Sequence, residues 1–127
     1  MELGNFSVSL NVHDLEASRA FYAKLGFETV GGDAEQNWPV LQNGTPTIGL
    51  FHGMFERNML TFNPGWSNDR RALERFQDVR DIQAALVEQG LEPKIPADTE
   101  TDGPAHLVLT DPDGNPILID QHVPRPS

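Results

Sequence analysis

The chain has 127 residues, of which 38% are hydrophobic and 22% charged, a composition typical of one ordinary globular domain with its own core. It carries 9 basic and 19 acidic residues, a net charge of −10, so we expect it to bind neither nucleic acid nor membranes. It contains no cysteine, which excludes disulfides, cysteine nucleophiles and zinc sites built on thiolates.

The same numbers lead to two further expectations. Met1–Asn5 lacks the basic-then-apolar pattern of a signal peptide, and no apolar run reaches eighteen residues, so we expect a cytoplasmic protein. The acidic surface favours a cationic ligand. Because acidic residues also keep many proteins soluble, charge alone leaves both interpretations open.

The first half of the chain predicts a strand, a helix and three more strands. Phe6–Val12 alternates apolar and small polar residues, which indicates a half-buried strand. Asp14 is a suitable N-cap for a helix that Gly26 would end. The following strands are predicted at 27–31, 38–42 and 47–52, with a hairpin turn at Asn43–Gly44.

The second half repeats this pattern after a shift of 64 positions, which brings Asp14 onto Asp78 and Gly26 onto Gly90. A second helix is therefore predicted between Asp78 and Gly90. A weakly patterned strand is predicted before it at 71–76, and further strands at 91–95, 106–110 and 117–121.

Together these elements predict one α+β domain over residues 1–127, built from two βαβββ modules. Module one covers about residues 5–64 and module two about residues 68–123, with a joint at Asn63–Gly65. The helices would cover one face of the sheet, and the other face would curve into a cup.

Three segments in this order resemble the vicinal-oxygen-chelate superfamily, which includes glyoxalase I, extradiol dioxygenases, fosfomycin-resistance enzymes and bleomycin-binding proteins. The segments are Val12–Leu15, Phe21–Phe27 and the closing turn Asp111–Pro116. The resemblance extends from about Phe6 to Val123. It implies the glyoxalase-like fold with a cup-shaped sheet, and a homodimer whose chains complete the binding clefts together.

Catalytic members of that superfamily hold a divalent metal with His and Glu side chains at four strand positions. The resemblance places these positions at Ser7, Gly49, Arg71 and Leu118. None of them is a normal metal ligand, and Arg71 would repel a cation. We therefore expect no metal ion and no other cofactor.

Other side chains are candidates for lining the cup. By strand alternation, His106 and Asp120 should share its face with Leu118, and could act as an acid/base pair or receive a cationic ligand. Phe51 shares the parity of Gly49, whose missing side chain would leave room for a ligand. His52 has the opposite parity, and Trp38 and Trp66, which flank strand ends, could line the mouth. The predicted ligand-binding residues are Ser7, Ser9, Asn11, Trp38, Gly49, Phe51, Arg71, His106, Leu118 and Asp120.

These observations favour a metal-independent protein that binds a small molecule, similar to the bleomycin-resistance members that sequester their ligand. An enzyme that uses His106 and Asp120 without a metal is one alternative. A glyoxalase-like lyase or a dioxygenase with relocated metal ligands is another.

Overall fold

The computed structural model describes residues 1–33 and 35–126, which form seven strands and two helices and confirm the predicted α+β class. In chain order these are β1 (Asn5–Asn11), α1 (Leu15–Ala23), β2 (Glu28–Asp33), β3 (Trp38–Gln42), β4 (Thr47–Phe51), β5 (Met59–Asn63), α2 (Val79–Glu88), β6 (Ala105–Thr110) and β7 (Pro116–Gln121). Neither of these helices is long and apolar enough to cross a membrane.

The chain divides into two compact units, one formed by Ser7–Met59 and the other by Met1–Phe6 together with the residues from Leu60 onward. In the first unit the strands lie side by side in the order β2-β3-β4-β1, and in the second in the order β5-β7-β6. Strands β1 and β4 are parallel, as are β5 and β7. Each unit thus pairs its first strand in parallel with its last.

The helix starts repeat between the units as predicted. Asp14 accepts a hydrogen bond from the amide of Ala17 at 3.0 Å, and Asp78 accepts one from the amide of Arg80 at 2.9 Å. Each carboxylate satisfies one of the amides that have no partner in the first turn of a helix.

The helix ends repeat as well. Gly26 and Gly90 have φ angles of 96° and 90°, the left-handed conformation that glycine adopts without a steric penalty. The residue after each glycine donates to a carbonyl five residues earlier, Phe27 to Tyr22 at 3.1 Å and Leu91 to Leu86 at 2.9 Å. The shift of 64 positions therefore superimposes both ends of the two helices.

The strand predicted at 71–76 is wrong. Strand β5 lies earlier, at Met59–Asn63, and outside the named strands Ala72 forms only an isolated bridge to Trp66. Three residues link β1 to α1, whereas 15 residues, 64–78, link β5 to α2. Because the shift of 64 was set by the helices, it placed the strand inside this longer connection.

The strand predicted at 91–95 is reduced to a single bridge between Ile95 and Val108. Pro93 and Pro96 flank Lys94 and Ile95, and proline has no amide hydrogen to donate to a neighbouring strand. The second unit therefore has one strand fewer than the predicted βαβββ module.

The two helices pack differently. In α2, Val79, Ile82 and Leu86 are buried and form a core with Leu107 and Ile119. In α1 no residue is fully buried, and its apolar residues are only partly covered: Phe21 is 58% exposed.

A buried polar network lies at the start of α2. Asp78, Arg80 and Gln121 are 1%, 4% and 0% exposed. The Asp78 carboxylate accepts from Arg80 Nη1 at 3.1 Å and from Gln121 Nε2 at 2.7 Å. Gln121 Oε1 in turn accepts from the amide of Val79 at 2.7 Å. The network therefore joins the end of β7 to the first turn of α2.

The remaining donors of Arg80 hold the loop before β6. Its Nε donates to the carbonyl of Asp98 at 3.0 Å, and its Nη2 donates to Thr101 Oγ1 at 3.1 Å and to the carbonyl of Gly103 at 2.6 Å. Burial alone would raise the pKa of Asp78, but the hydrogen bonds from Gln121 and Arg80 outweigh it and lower that pKa from its ordinary value of 3.8.

Replacement of Asp78 should be far more damaging than replacement of the equivalent cap in the first unit. Asp78→Ala leaves the Arg80 cation buried without its counter-charge, and we expect it to lower the free energy of unfolding by about 3–5 kcal/mol. Asp14→Ala removes an exposed cap and should cost about 1 kcal/mol. Urea unfolding of both variants measures the difference, and equal losses would contradict the structural role assigned to the network.

The network should also make the protein sensitive to acid. Because the pKa of Asp78 is lower in the folded protein than in the unfolded chain, the contribution of Asp78 to the free energy of unfolding is complete above about pH 4. This contribution is lost as the pH falls through the pKa that Asp78 has in the folded protein. The stability difference between the wild-type protein and Asp78→Asn, measured by urea unfolding from pH 7 to pH 2.5, should shrink below pH 4. A difference that stays constant over this range would refute the linkage.

Candidate functional site

The strand register of the first unit brings six of the predicted residues to one face. Ser9 lies opposite Gly49, and Asn11 lies opposite Phe51. Val40 also lies opposite Gly49. Since side chains alternate along a strand, Ser7 and Trp38 point to this same face. The register therefore places Ser7, Ser9, Asn11, Gly49 and Phe51 on one face, as expected from alternation, and it adds Trp38 to that face.

The space at Gly49 is already occupied by the chain itself. A Cβ atom at Gly49 would lie 2.7 Å from Cε2 of Phe51, so the Phe51 ring covers this glycine. The ring also packs against Phe55, with 4.9 Å between the ring centroids. The prediction that Gly49 leaves room for a ligand is therefore wrong, because its missing side chain accommodates Phe51.

Two open clefts lie on either side of the turn from β1 to α1, with volumes of about 500 Å³ and about 390 Å³. Both are lined by Asn11, Val12 and His13. The larger is completed by the segment His52–Glu56. The smaller is completed by Asp14, Ala17, Ser18, Phe21 and Tyr22 of α1 and its cap. Of the predicted ligand-binding residues, Asn11 lines these clefts.

His52 is a cleft residue that strand alternation did not identify. It lies one residue beyond the end of β4, and its amide donates to the carbonyl of Asn37 at 3.1 Å. Its Nδ1 lies 3.0 Å from the carbonyl oxygen of Val12. Since a carbonyl only accepts, Nδ1 carries the proton, which leaves Nε2 of the neutral ring as an acceptor.

In the second unit the register places His106 opposite Asp120 and Val108 opposite Leu118. The prediction that His106, Leu118 and Asp120 share a face is confirmed. However, Asp120 Oδ2 forms its ion pair with Nε2 of His122, at 3.3 Å. Asp120 is therefore paired with His122 instead of the expected His106.

His122 also stacks on Trp66. The ring centroids are 4.7 Å apart and the planes differ by 7°. The guanidinium carbon of Arg70 lies 5.1 Å from the centroid of the same indole. We call Trp66, Arg70, Asp120 and His122 the Trp66 cluster. No sequence motif marks Arg70, because it lies in the long connection that the repeat does not contain.

Arg71 does not occupy a strand position. It follows Arg70 in the connection, its side chain is 83% exposed, and its Nε pairs with Asp69 at 3.1 Å. Its assignment to the third metal position is therefore wrong. The strand that pairs with β7 is β5, and its Thr61 lies opposite Leu118 just as Ser9 lies opposite Gly49. Since Ser7 lies two positions before Ser9, its equivalent is Met59, two positions before Thr61.

The four positions do not fit the superfamily's metal ion. Ser7 offers a neutral hydroxyl, Gly49 no side chain, Met59 a soft thioether and Leu118 a hydrocarbon. Divalent ions in such sites require carboxylate and imidazole ligands. Within residues 1–33 and 35–126, no three His, Asp or Glu side chains are placed to share a metal ion.

Comparison with known proteins identifies the family. Residues 6–119 match the family model described as the Glyoxalase/Bleomycin resistance protein/Dioxygenase superfamily. No curated protein matches the sequence significantly.

Solved structures are similar in fold. A superfamily member from Vibrio splendidus 12B01 has a TM-score of 0.63 at 13% identity, covering 92% of this chain and 97% of its own. Methylmalonyl-CoA epimerase from Streptomyces coelicolor has a TM-score of 0.61 at 17% identity, covering 95% of this chain and 99% of its own. The Mn(II)-bound glyoxalase from Novosphingobium aromaticivorans has a TM-score of 0.57 at 19% identity, covering 95% of this chain and 39% of its own. At these identities the similarity shows the fold alone.

The contact between Gly49 and Phe51 can be tested by adding one methyl group. Gly49→Ala should displace the Phe51 ring and lower the free energy of unfolding by about 1–3 kcal/mol. The same change at Gly103, where an added Cβ would meet no atom within 4 Å, is the matched control. In Gly49→Ala/Phe51→Leu the two effects should be less than additive, as measured by a double-mutant cycle in urea. Strict additivity would show that the ring does not occupy this space.

Proposed function

Because the chain belongs to the glyoxalase/bleomycin resistance protein/dioxygenase superfamily, we propose that it binds a small organic molecule without the superfamily's metal ion. The residues at the four metal positions support the second half of this proposal. In function the protein would be similar to the bleomycin-resistance members, which sequester their ligand.

The observation that carries the proposal is the pair of clefts beside the turn from β1 to α1. Volumes of about 500 Å³ and about 390 Å³ lie in the range of small-molecule sites, which is roughly 300–1,000 Å³. Their walls combine apolar surface with a few polar groups that could orient a ligand. The apolar part comes from Phe21, Tyr22, Met54 and Phe55.

The charges of the lining favour a cationic ligand with an apolar group. Glu56 lies in the larger cleft and Asp14 in the smaller, and the chain as a whole carries −10. Phe21 is exposed and its ring contacts Tyr22 edge-on at 5.2 Å. Exposed aromatic faces attract organic cations by about 0.5–1 kcal/mol.

Catalysis without a metal is the second candidate function, and the Asp120–His122 ion pair is the observation that favours it. A carboxylate that holds one imidazole nitrogen leaves the other available for proton transfer. Stoichiometric metal in the purified protein would instead support the third candidate, a lyase or dioxygenase with relocated ligands.

We also propose a cytoplasmic homodimer, as expected for a single-domain member of this superfamily. Light scattering on the purified chain measures its mass directly, and a monomer at micromolar concentration would contradict this assembly.

The binding proposal can be tested with benzyltrimethylammonium as a cationic probe and benzyl alcohol as its neutral counterpart. Calorimetry should detect binding of the cation only. Phe21→Ala and Asp14→Asn, which both alter the lining of the smaller cleft, should each weaken it by roughly threefold to fivefold, because one loses a cation–π contact and the other an attractive charge. Glu28→Gln, which removes the same charge from an exposed position outside both cleft linings, is the matched control.

Equal binding of the neutral probe, or equal weakening by Glu28→Gln, would contradict a cation site in these clefts. His122→Asn separates the second candidate from the first. It should leave binding of the cation unchanged, and an enzyme would lose its turnover by orders of magnitude.

A further inference from the structure

The connection between β5 and α2 contains residues that the fold does not require. The first unit makes the same strand-to-helix connection in three residues, whereas the second uses the 15 residues 64–78. The loop Ser67–Arg71 and its neighbour Trp66 lie in this longer segment. The Trp66 cluster therefore has to be explained by something other than chain connectivity.

Arg70 has an unfavourable backbone conformation. Its φ is 64°, in the left-handed region that glycine and asparagine adopt more easily than arginine. The loop holds it there by two hydrogen bonds, from the Arg70 amide to the Ser67 carbonyl at 2.9 Å and from the Ser67 amide to the Arg71 carbonyl at 3.0 Å. Strain of this kind is typical of residues that contact ligands.

The guanidinium of Arg70 is held in place, but within residues 1–33 and 35–126 it has no hydrogen-bond acceptor. It lies 5.1 Å from the centroid of Trp66 and is only partly exposed. Among the described residues none pairs with it, since the neighbouring acid, Asp69, pairs with Arg71. Burial lowers the pKa of Arg70. An arginine nevertheless keeps its charge, so its hydrogen-bond donors are available to an anion from outside the chain.

Trp66 gives this guanidinium a fixed support. Its carbonyl accepts from the amide of Asn5 at 2.8 Å, and its indole is stacked with the imidazole of His122. His122 is itself held by Asp120. A guanidinium that is already ordered loses less conformational freedom when it binds a ligand.

We infer that Arg70, supported by Trp66, binds the carboxylate of a small organic acid. The planar guanidinium matches a carboxylate through two parallel hydrogen bonds. A phosphate dianion is disfavoured relative to a singly charged carboxylate, because Asp69 is the adjacent residue and the chain carries −10. This site uses residues of the second unit only and is independent of the cation clefts proposed above.

Benzoate is a suitable probe, with inorganic phosphate as the competing anion at constant ionic strength. Titration followed by the indole N–H signals in two-dimensional NMR distinguishes Trp66 from Trp38, which is the internal reference. Benzoate should shift the Trp66 signal saturably, with a dissociation constant of roughly millimolar magnitude. Phosphate should not shift it.

Three variants show whether Arg70 is responsible. Arg70→Gln should weaken benzoate binding at least tenfold, and Arg70→Lys should weaken it partly, because lysine keeps the charge but not the planar pair of donors. Arg70→Asn suits the left-handed backbone and removes the charge, so it covers the case in which glutamine disturbs the loop. Arg71→Gln, which removes an adjacent but exposed charge, should bind as the wild-type protein does.

The inference is overturned if Arg70→Gln and Arg70→Asn bind benzoate normally, or if Arg71→Gln weakens binding as much. It is equally overturned if Trp38 and Trp66 shift together, or if phosphate binds as tightly as benzoate. None of these outcomes bears on the cation clefts, which are tested by a different probe and by residues of the first unit.

Discussion

The buried pairing of Asp78 with Arg80 and Gln121 is the constraint on which the second unit depends. Asp78 caps α2, while Arg80 holds the loop 98–103 and Gln121 holds the end of β7. Three segments distant in sequence are thus fixed by one carboxylate. Two charges removed from water are stable only when every donor and acceptor finds a partner, and for Arg80 the carbonyl of Asp98 and the hydroxyl of Thr101 are among these partners. The apolar core then packs on an α2 whose position is already determined.

The same network positions the surface groups at the end of β7. Ile119 and Gln121 point into the core and the network, so Asp120 must point to the other face. There it pairs with His122, which stacks on Trp66. The order of the Trp66 cluster therefore derives from groups that lie on the buried side of the same strand. A binding site whose side chains are already ordered by such contacts loses little entropy when a ligand arrives.

The predictable parts of the structure were those set by local chemistry. Asp14 and Asp78 could be recognised as caps, and Gly26 and Gly90 as helix ends, because each acts on its own few neighbours. Residues in strands were also assigned to the correct faces by alternation. What failed was the spacing between elements. The repeat located the helices, but the capping signals of a helix do not depend on the length of the connection before it. The strand was therefore expected around Arg71, whereas it lies at Met59–Asn63.

Side-chain contacts across the fold were the part of the site that sequence could not reveal. Phe51 fills the space over Gly49 by bending back along its own strand, and alternation reports only the face of a residue, not the direction of its ring. Likewise Arg70, whose backbone has a positive φ, lies over Trp66, a contact that the sequence pattern does not indicate. Both contacts change the structural role that the sequence suggests for a residue. A glycine in place of a metal ligand creates internal packing rather than an empty site, and an arginine in a loop gains a fixed direction. In both cases the role of a position depends on a contact that lies outside the reach of strand alternation.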